Sequence, residues 1–129
     1  MGRKILFITT DQQRYDALGC NGGTIARTPV LDALSRAGIT FDRAHPQNVV
    51  CMPSRSTMLT GQHVSTHGVW MNGVPLPEDA PSIAADLRGA GYATALIGKA
   101  HFEPLLDPFL RFTENRMGSQ KITTDNPKD

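Results

Sequence analysis

The sequence predicts an α/β fold with a mostly parallel sheet flanked by helices. Three observations carry that expectation. Ile5, Leu6, Phe7 and Ile8, followed by Thr9 and Thr10, form a short apolar and β-branched run bounded by charge, as a parallel strand covered on both faces requires. Stretches of helical and strand-like pattern then alternate along the chain. A chain of 129 residues with 40% hydrophobic and 19% charged content is sized for one small core.

Each element has a local reason. A strand over residues 4–10 places Asp11 at its carboxyl end. Thr28 and Pro29 suit an N-cap and a first helical position, and Leu31, Leu34 and Ala37 share a face until Gly38. Residues 39–41 can begin a second strand. A second helix is expected over residues 53–59, stopped by Gly61, and the Gly-, Pro-, His- and Asn-rich stretch 62–79 reads as a long surface loop. A third helix over residues 81–90 carries Ile83 and Leu87 on one face, and Gly91 leads into a strand over 92–97. Residues 1–118 are expected to form the folded portion, and the polar tail 119–129 to fray.

Composition narrows the function classes. Thirteen basic and twelve acidic residues give a formal net charge of +1, which offers no electrostatic footprint for nucleic acid or a membrane surface. The apolar run at residues 5–8 is too short to span a bilayer and no small-residue cleavage site follows it, so neither anchor nor signal peptide is expected. Cys20 and Cys51 form no CxxC pair, which argues against a disulfide framework or a cysteine zinc site and fits a reducing cytoplasm.

Ligands of open α/β sheets gather at the carboxyl ends of strands. Asp11 ends one expected strand, and Lys99 and His101 follow another. Cys51-Met52-Pro53-Ser54-Arg55 adds a cysteine ahead of a proline-initiated helix, whose free N–H groups and dipole favour an anion, with Arg55 as a nearby cation. The place suits sulfate or phosphate. A cysteine-dependent phosphatase wants arginine six positions after its cysteine, and that position is Thr57. His63 and His67 stand four apart, but Val64 occupies the glutamate position of the zinc-protease motif and Gly68 argues for a loop. His45 reads as a loop histidine, Cys20 as inert, and Asn72-Gly73 as a turn, with the lining of a substrate pocket as the other reading of Asn72.

Cys51 to Arg55, continued by Leu59-Thr60-Gly61, resembles the first signature of the sulfatase family, Cys-x-Pro-Ser-Arg followed by Leu-Thr-Gly. Gly91-Tyr92-Ala93-Thr94-Ala95-Leu96-Ile97-Gly98-Lys99-Ala100-His101 is similar to the second signature. Phe7-Ile8-Thr9-Thr10-Asp11-Gln12 looks like the metal-binding opening of the family. The three matches stand in the family's order, and the resemblance implies the amino-terminal part of an alkaline phosphatase-like catalytic domain.

By that resemblance, Cys51 is converted by a maturation enzyme to formylglycine, whose hydrate carries two hydroxyls on one carbon. One attacks the sulfate ester and displaces the alcohol, and deprotonation of the other expels inorganic sulfate and restores the aldehyde. A serine lacks the second hydroxyl. Asp11 is implied as a ligand of a divalent cation, Ca²⁺ foremost, with Gln12 and the residue-51 oxygens beside it. Arg55 is implied to hold the formylglycine, Lys99 to contact sulfate oxygens, and His101 to hydrogen-bond the formylglycine hydroxyl.

Two positions depart from the family pattern. Gln12 stands where many sulfatases have a second aspartate, and Ala100 replaces a bulky aromatic, which is expected to widen that side of the pocket. Further metal ligands, a histidine and a lysine come in the family from a portion beyond these residues, so this segment alone is expected to be inactive. The expected activity of the whole is hydrolysis of a small-molecule sulfate ester. The alternatives are a phosphonate monoester or phosphodiester hydrolase using the same formylglycine chemistry, and a catalytically silent binding module.

Overall fold

The computed structural model describes residues 3–102 and the short strand Glu114–Arg116. They fall into two compact units, one ending at His45 and the other beginning at Pro46.

The first unit contains two 3-10 turns, Tyr15–Ala17 and Gly19–Asn21, and helix α1, Pro29–Ala37. Pro29 sits at the start of α1 and Gly38 ends it, as the sequence predicts. Thr28 occupies the N-cap position, but its hydroxyl serves the loop before the helix. Thr28 Oγ1 accepts from Gly19 N at 2.8 Å and donates to Asp32 Oδ1 at 2.9 Å, and that carboxylate oxygen also accepts from Cys20 N at 2.8 Å. Asp32 thus fastens the 19–20 turn to the first turn of α1, where a carboxylate also complements the helix dipole.

Gly23 closes this turn by approaching backbone. A Cβ there would lie 2.6 Å from the Asp16 carbonyl oxygen and 2.8 Å from that of Leu18, neither of which can swing aside. Arg14 and Asp16 pair at the surface, and each stabilises the other's charged form: the hydrogen bond to Arg14 lowers the Asp16 pKa and the bond to Asp16 raises that of Arg14. Such an exposed pair adds little to stability.

Residues 4–10 are not a strand, which corrects the sequence-based expectation. Ile5, Leu6, Phe7 and Ile8 are 64–84% exposed, and no ladder runs along either edge among the described residues. An apolar, β-branched run favours extended backbone, but a strand exists only where a neighbour accepts its hydrogen bonds. The same holds for residues 39–41, where Ile39 and Phe41 are exposed. Leu31 and Leu34 of α1 are also exposed, and none of residues 3–45 is buried. Polar bonds order this unit locally.

The second unit contains α2, Cys51–Thr60; α3, Val64–His67; α4, Ile83–Gly89; and strands β1, Ala95–Ile97, and β2, Glu114–Arg116. Helix α2 begins two residues before the expected start, so Pro53 lies within its first turn. Its missing N–H costs nothing there, because the first-turn donors have no intrahelical acceptor. Gly61, at a φ of 69°, ends the helix in the left-handed conformation that favours glycine.

Met52, Ser56 and Leu59 recur at i, i+4 and i+7 and form the buried stripe of α2. Met52 and Leu59 join Val69, Leu76, Ala100 and Phe102 in one hydrophobic cluster, with Val74, Ala80 and Leu96 against it. The stretch 62–79 contains one helical turn, α3, where a continuous loop was expected. That turn buries His67, whose Nδ1 accepts from Val69 N at 3.1 Å. The proton of the neutral ring is therefore on Nε2, which stands 3.0 Å from Thr57 Oγ1 on α2. In α4 the buried residue is Ala84, while Ile83 is exposed and Leu87 half-buried, so the expected apolar face is turned by one position.

β1 pairs with β2 in parallel, Leu96 opposite Asn115. This is the whole of the sheet among the described residues, so it is far narrower than the mostly parallel sheet predicted. β1 is also shorter than expected, starting at Ala95. The tail 119–129 lies outside the described residues.

Two outcomes follow from this packing. Gly23→Ala forces a methyl against two carbonyl oxygens and is expected to destabilise the turn by about 1–3 kcal/mol, read as faster amide exchange at Cys20 and Gly22. Burial depresses the pKa of His67 below the ordinary histidine value of about 6.5. Below that value the unfolded chain takes up a proton that the folded chain refuses. Stability is therefore complete above about pH 6.5 and declines as the pH falls from there toward the folded-state pKa. Urea titrations between about pH 8 and pH 5 should show this decline, and a flatter profile in His67→Gln.

Candidate active site

The site grows from the amino terminus of α2. Val50 occupies the N-cap position in extended conformation, and a valine side chain has no oxygen with which to cap. Neighbouring asparagines supply the acceptors. Asn48 Oδ1 accepts from Val50 N at 2.7 Å, and Asn72 Oδ1 accepts from Met52 N at 3.0 Å. Cys51, the first residue of the helix, is half-buried.

Arg55 lies one turn along, on the same side as Cys51. Its Nη1 donates to the Lys99 carbonyl oxygen at 2.9 Å. Lys99 Nζ points at Cys51 Sγ from 3.8 Å. Two segments more than forty residues apart in sequence are thereby joined by a thiol, a guanidinium and an ammonium group.

The second segment is placed by its own alternation. After β1 the chain turns through Gly98, whose φ of 97° suits glycine, and enters an extended run. Ala100 and Phe102 are buried in the core cluster, and burial falls at the residues before each of them. Lys99 is exposed and His101 half-buried, the latter with a φ of 54°. A histidine in the left-handed region is locally strained, and such strain is tolerated where flanking packing holds it. Ala100 itself packs inward.

Two cations beside a half-buried cysteine, at a helix amino terminus, make a site for an anion. Asp11 and Gln12 belong to the first unit and are exposed. The chain bends at both, with Gln12 at a φ of 54°. Among the described residues no group of three or more His, Cys, Asp or Glu side chains is disposed to hold a metal ion. His45 and His63 are exposed, Cys20 is a free exposed thiol, and His67 is committed to Thr57 and Val69.

Sequence reasoning missed two contributors. Asn48 lies two positions before the amide it accepts from, an Asx pattern that could have been read locally. Asn72 was read as a turn residue or as the lining of a substrate pocket, and nothing local links it to position 52.

The sulfatase family model matches residues 3–124. An ulvan-active sulfatase of Formosa agariphila is 35% identical over 100 residues, which cover 78% of this chain and 20% of that protein. The phosphonate monoester hydrolase of Silicibacter pomeroyi superposes with a TM-score of 0.71 at 32% identity, over 89% of this chain and 26% of the other. A structure solved in complex with its substrate D-glucosamine-2-N,6-O-disulfate gives a TM-score of 0.72 at 33% identity, over 77% of this chain and 20% of the other. The chain thus spans about a fifth of the length of the first curated relatives it matches. With the cysteine–arginine–lysine arrangement in place and the family model matched across nearly all of its length, the chain belongs to the sulfatase family.

Proposed function

We propose that this chain forms part of a sulfuric ester hydrolase in which Cys51 is matured to formylglycine. The observation that carries the reading is the approach of Lys99 Nζ to Cys51 Sγ at 3.8 Å, with Arg55 anchored on the Lys99 carbonyl. The thiol marks the place at which an oxygen on the same carbon would stand after maturation. As its hydrate, formylglycine supplies one hydroxyl to take the sulfuryl group and a second to release it.

The chain's own residues are read as follows. Lys99 brings positive charge to the non-bridging oxygens of the ester, where charge builds as the alcohol departs. Arg55 holds the residue-51 side chain at the helix terminus, its guanidinium kept in place by the bond to the Lys99 carbonyl. His101, flanked by buried Ala100 and Phe102, is suited to hydrogen-bond a residue-51 hydroxyl and to move its proton. The Asp11 carboxylate and the Gln12 amide oxygen are hard donors of the type a divalent cation such as Ca²⁺ accepts, and they supply two of its roughly six to eight oxygens. A bound cation of this kind would supply Lewis-acid polarisation. The parallel pairing of β1 with β2 is of the kind that a mostly parallel α/β sheet is built from.

A second reading has an observation behind it. The likeness to a phosphonate monoester hydrolase covers 89% of this chain, so the same groups would serve a phosphonate or phosphate diester.

The tests use the full-length polypeptide, made in a host that matures sulfatase cysteines. Peptide mass spectrometry is expected to find an aldehyde or its hydrate at residue 51; an unmodified thiol despite proven maturation overturns the proposal. Lys99→Ala is expected to lower kcat/KM on an aryl sulfate by about 10²–10³-fold. Cys51→Ser should accumulate protein heavier by one sulfuryl group, because serine has no second hydroxyl for release. Parallel rates on aryl sulfate and aryl phosphonate esters decide the substrate class, and a faster phosphonate reaction transfers the assignment to the second reading.

A further inference from the structure

We propose that Asn72 is a positioning residue for the chemistry at residue 51, acting as a cap supplied to α2 from a distant turn. This inference rests on the sulfuric ester hydrolase reading for its catalytic consequence, while its structural part stands on the geometry alone. The first turn of α2 begins behind a valine, contains a proline, and carries no capping bond from its own N-cap side chain. The amide of Met52, the residue after Cys51, donates instead to Asn72 Oδ1 at 3.0 Å. Because a backbone N–H is only a donor, the oxygen face of the Asn72 amide is the one turned to the helix.

The turn that delivers this oxygen is held on both sides. Val69 before it is fully buried and Leu76 after it is 5% exposed, both within the cluster that contains Met52. Gly73 adopts a φ of 87°, which lets the chain reverse directly after Asn72, and its N–H stands 3.0 Å from Met52 Sδ. Two successive residues of the turn thus grip one residue of the helix, one through its backbone and the other through its side chain. A serine or threonine at position 50 would satisfy a first-turn donor equally well, but it would travel with the helix. A cap borne on a separate turn ties the helix terminus to the core, and with it the direction of the residue-51 side chain.

The distinction matters for catalysis because a displacement of about 1 Å at a reacting group can cost on the order of 10²-fold in rate. The bond of Asn72 is to the helix backbone, at the Met52 amide. Its effect is expected in turnover with little change in KM.

The experiment compares Asn72→Ala and Asn72→Asp with the parent in the full-length polypeptide. Asp keeps an acceptor oxygen at the same reach, and Ala does not. In Asn72→Ala the Met52 amide should exchange about tenfold faster, while the amides of α4 keep their parental rates and show that the fold is intact. In matured enzyme kcat should fall about 10–100-fold at nearly constant KM, and Asn72→Asp should recover most of both effects. Unchanged exchange at Met52 in Asn72→Ala overturns the proposal. So does a rise in KM at constant kcat, which would make Asn72 a substrate contact, and so does an Asp variant no better than Ala. If the parent carries no formylglycine, the hydrolase reading falls by itself, and Met52 exchange in the two variants still decides the cap.

Discussion

The arrangement of residues 46–102 depends on the burial of one stripe of α2. Met52 and Leu59 reach into a cluster completed by Val69 and Leu76 on one connecting segment and by Ala100 and Phe102 on another. Each of the larger side chains removed from water is worth roughly 1.5–3 kcal/mol, several times what a surface ion pair returns. The cluster therefore dictates where the polar groups fall. Cys51 precedes the first buried residue of the stripe, and Lys99 precedes the first buried residue of the extended run. Each is carried to the edge of the cluster by the neighbour that enters it. The Arg55 bond to the Lys99 carbonyl then fixes the separation of the two segments at the point where the charges meet.

This order of causes explains why the groups implied in chemistry tolerate poor local conformations. His101 holds a positive φ between two buried anchors, and α2 starts without a capping side chain of its own. Left to local preference, the helix would fray from its first turn. Asn48 takes the N-cap amide locally, and tertiary partners supply the rest: Asn72 serves the Met52 amide, and His67 grips Thr57 from a buried position. Burial lowers the His67 pKa, so this grip is made by a neutral ring at neutral pH.

What could be read from the sequence was what is encoded within a few residues. Pro29, Gly38 and Gly61 marked helix ends correctly because proline and glycine act through their own backbone. The motif segments around Cys51 and Lys99 were recognisable for the same reason, as short strings. The strand expected at residues 4–10 failed because an apolar run does not specify who will pair with it. Ile83 was misjudged because helical periodicity leaves the phase of the buried face open by one position, and Ala84 took the core place. Asn72 was invisible as a cap, since its partner lies twenty residues away and the Asn-Gly pair already had a sufficient local explanation as a turn.

The charges at the site do not by themselves choose between a sulfate and a phosphonate ester. A sulfate monoester and a phosphonate monoester both carry a single negative charge near neutral pH, so Lys99 and Arg55 attract either to a similar degree. The two differ in shape: the sulfuryl group presents three non-bridging oxygens, the phosphonate two oxygens and a carbon substituent. Discrimination must therefore come from the space and hydrogen-bond donors around that third position, since a donor left without an acceptor is costly once buried. The candidates within this chain are groups on the open side of the cluster, above all Lys99. An ammonium group facing that position would lose a hydrogen bond to a carbon substituent but none to a third oxygen, so a buried donor placed there would discriminate between the two esters where net charge does not.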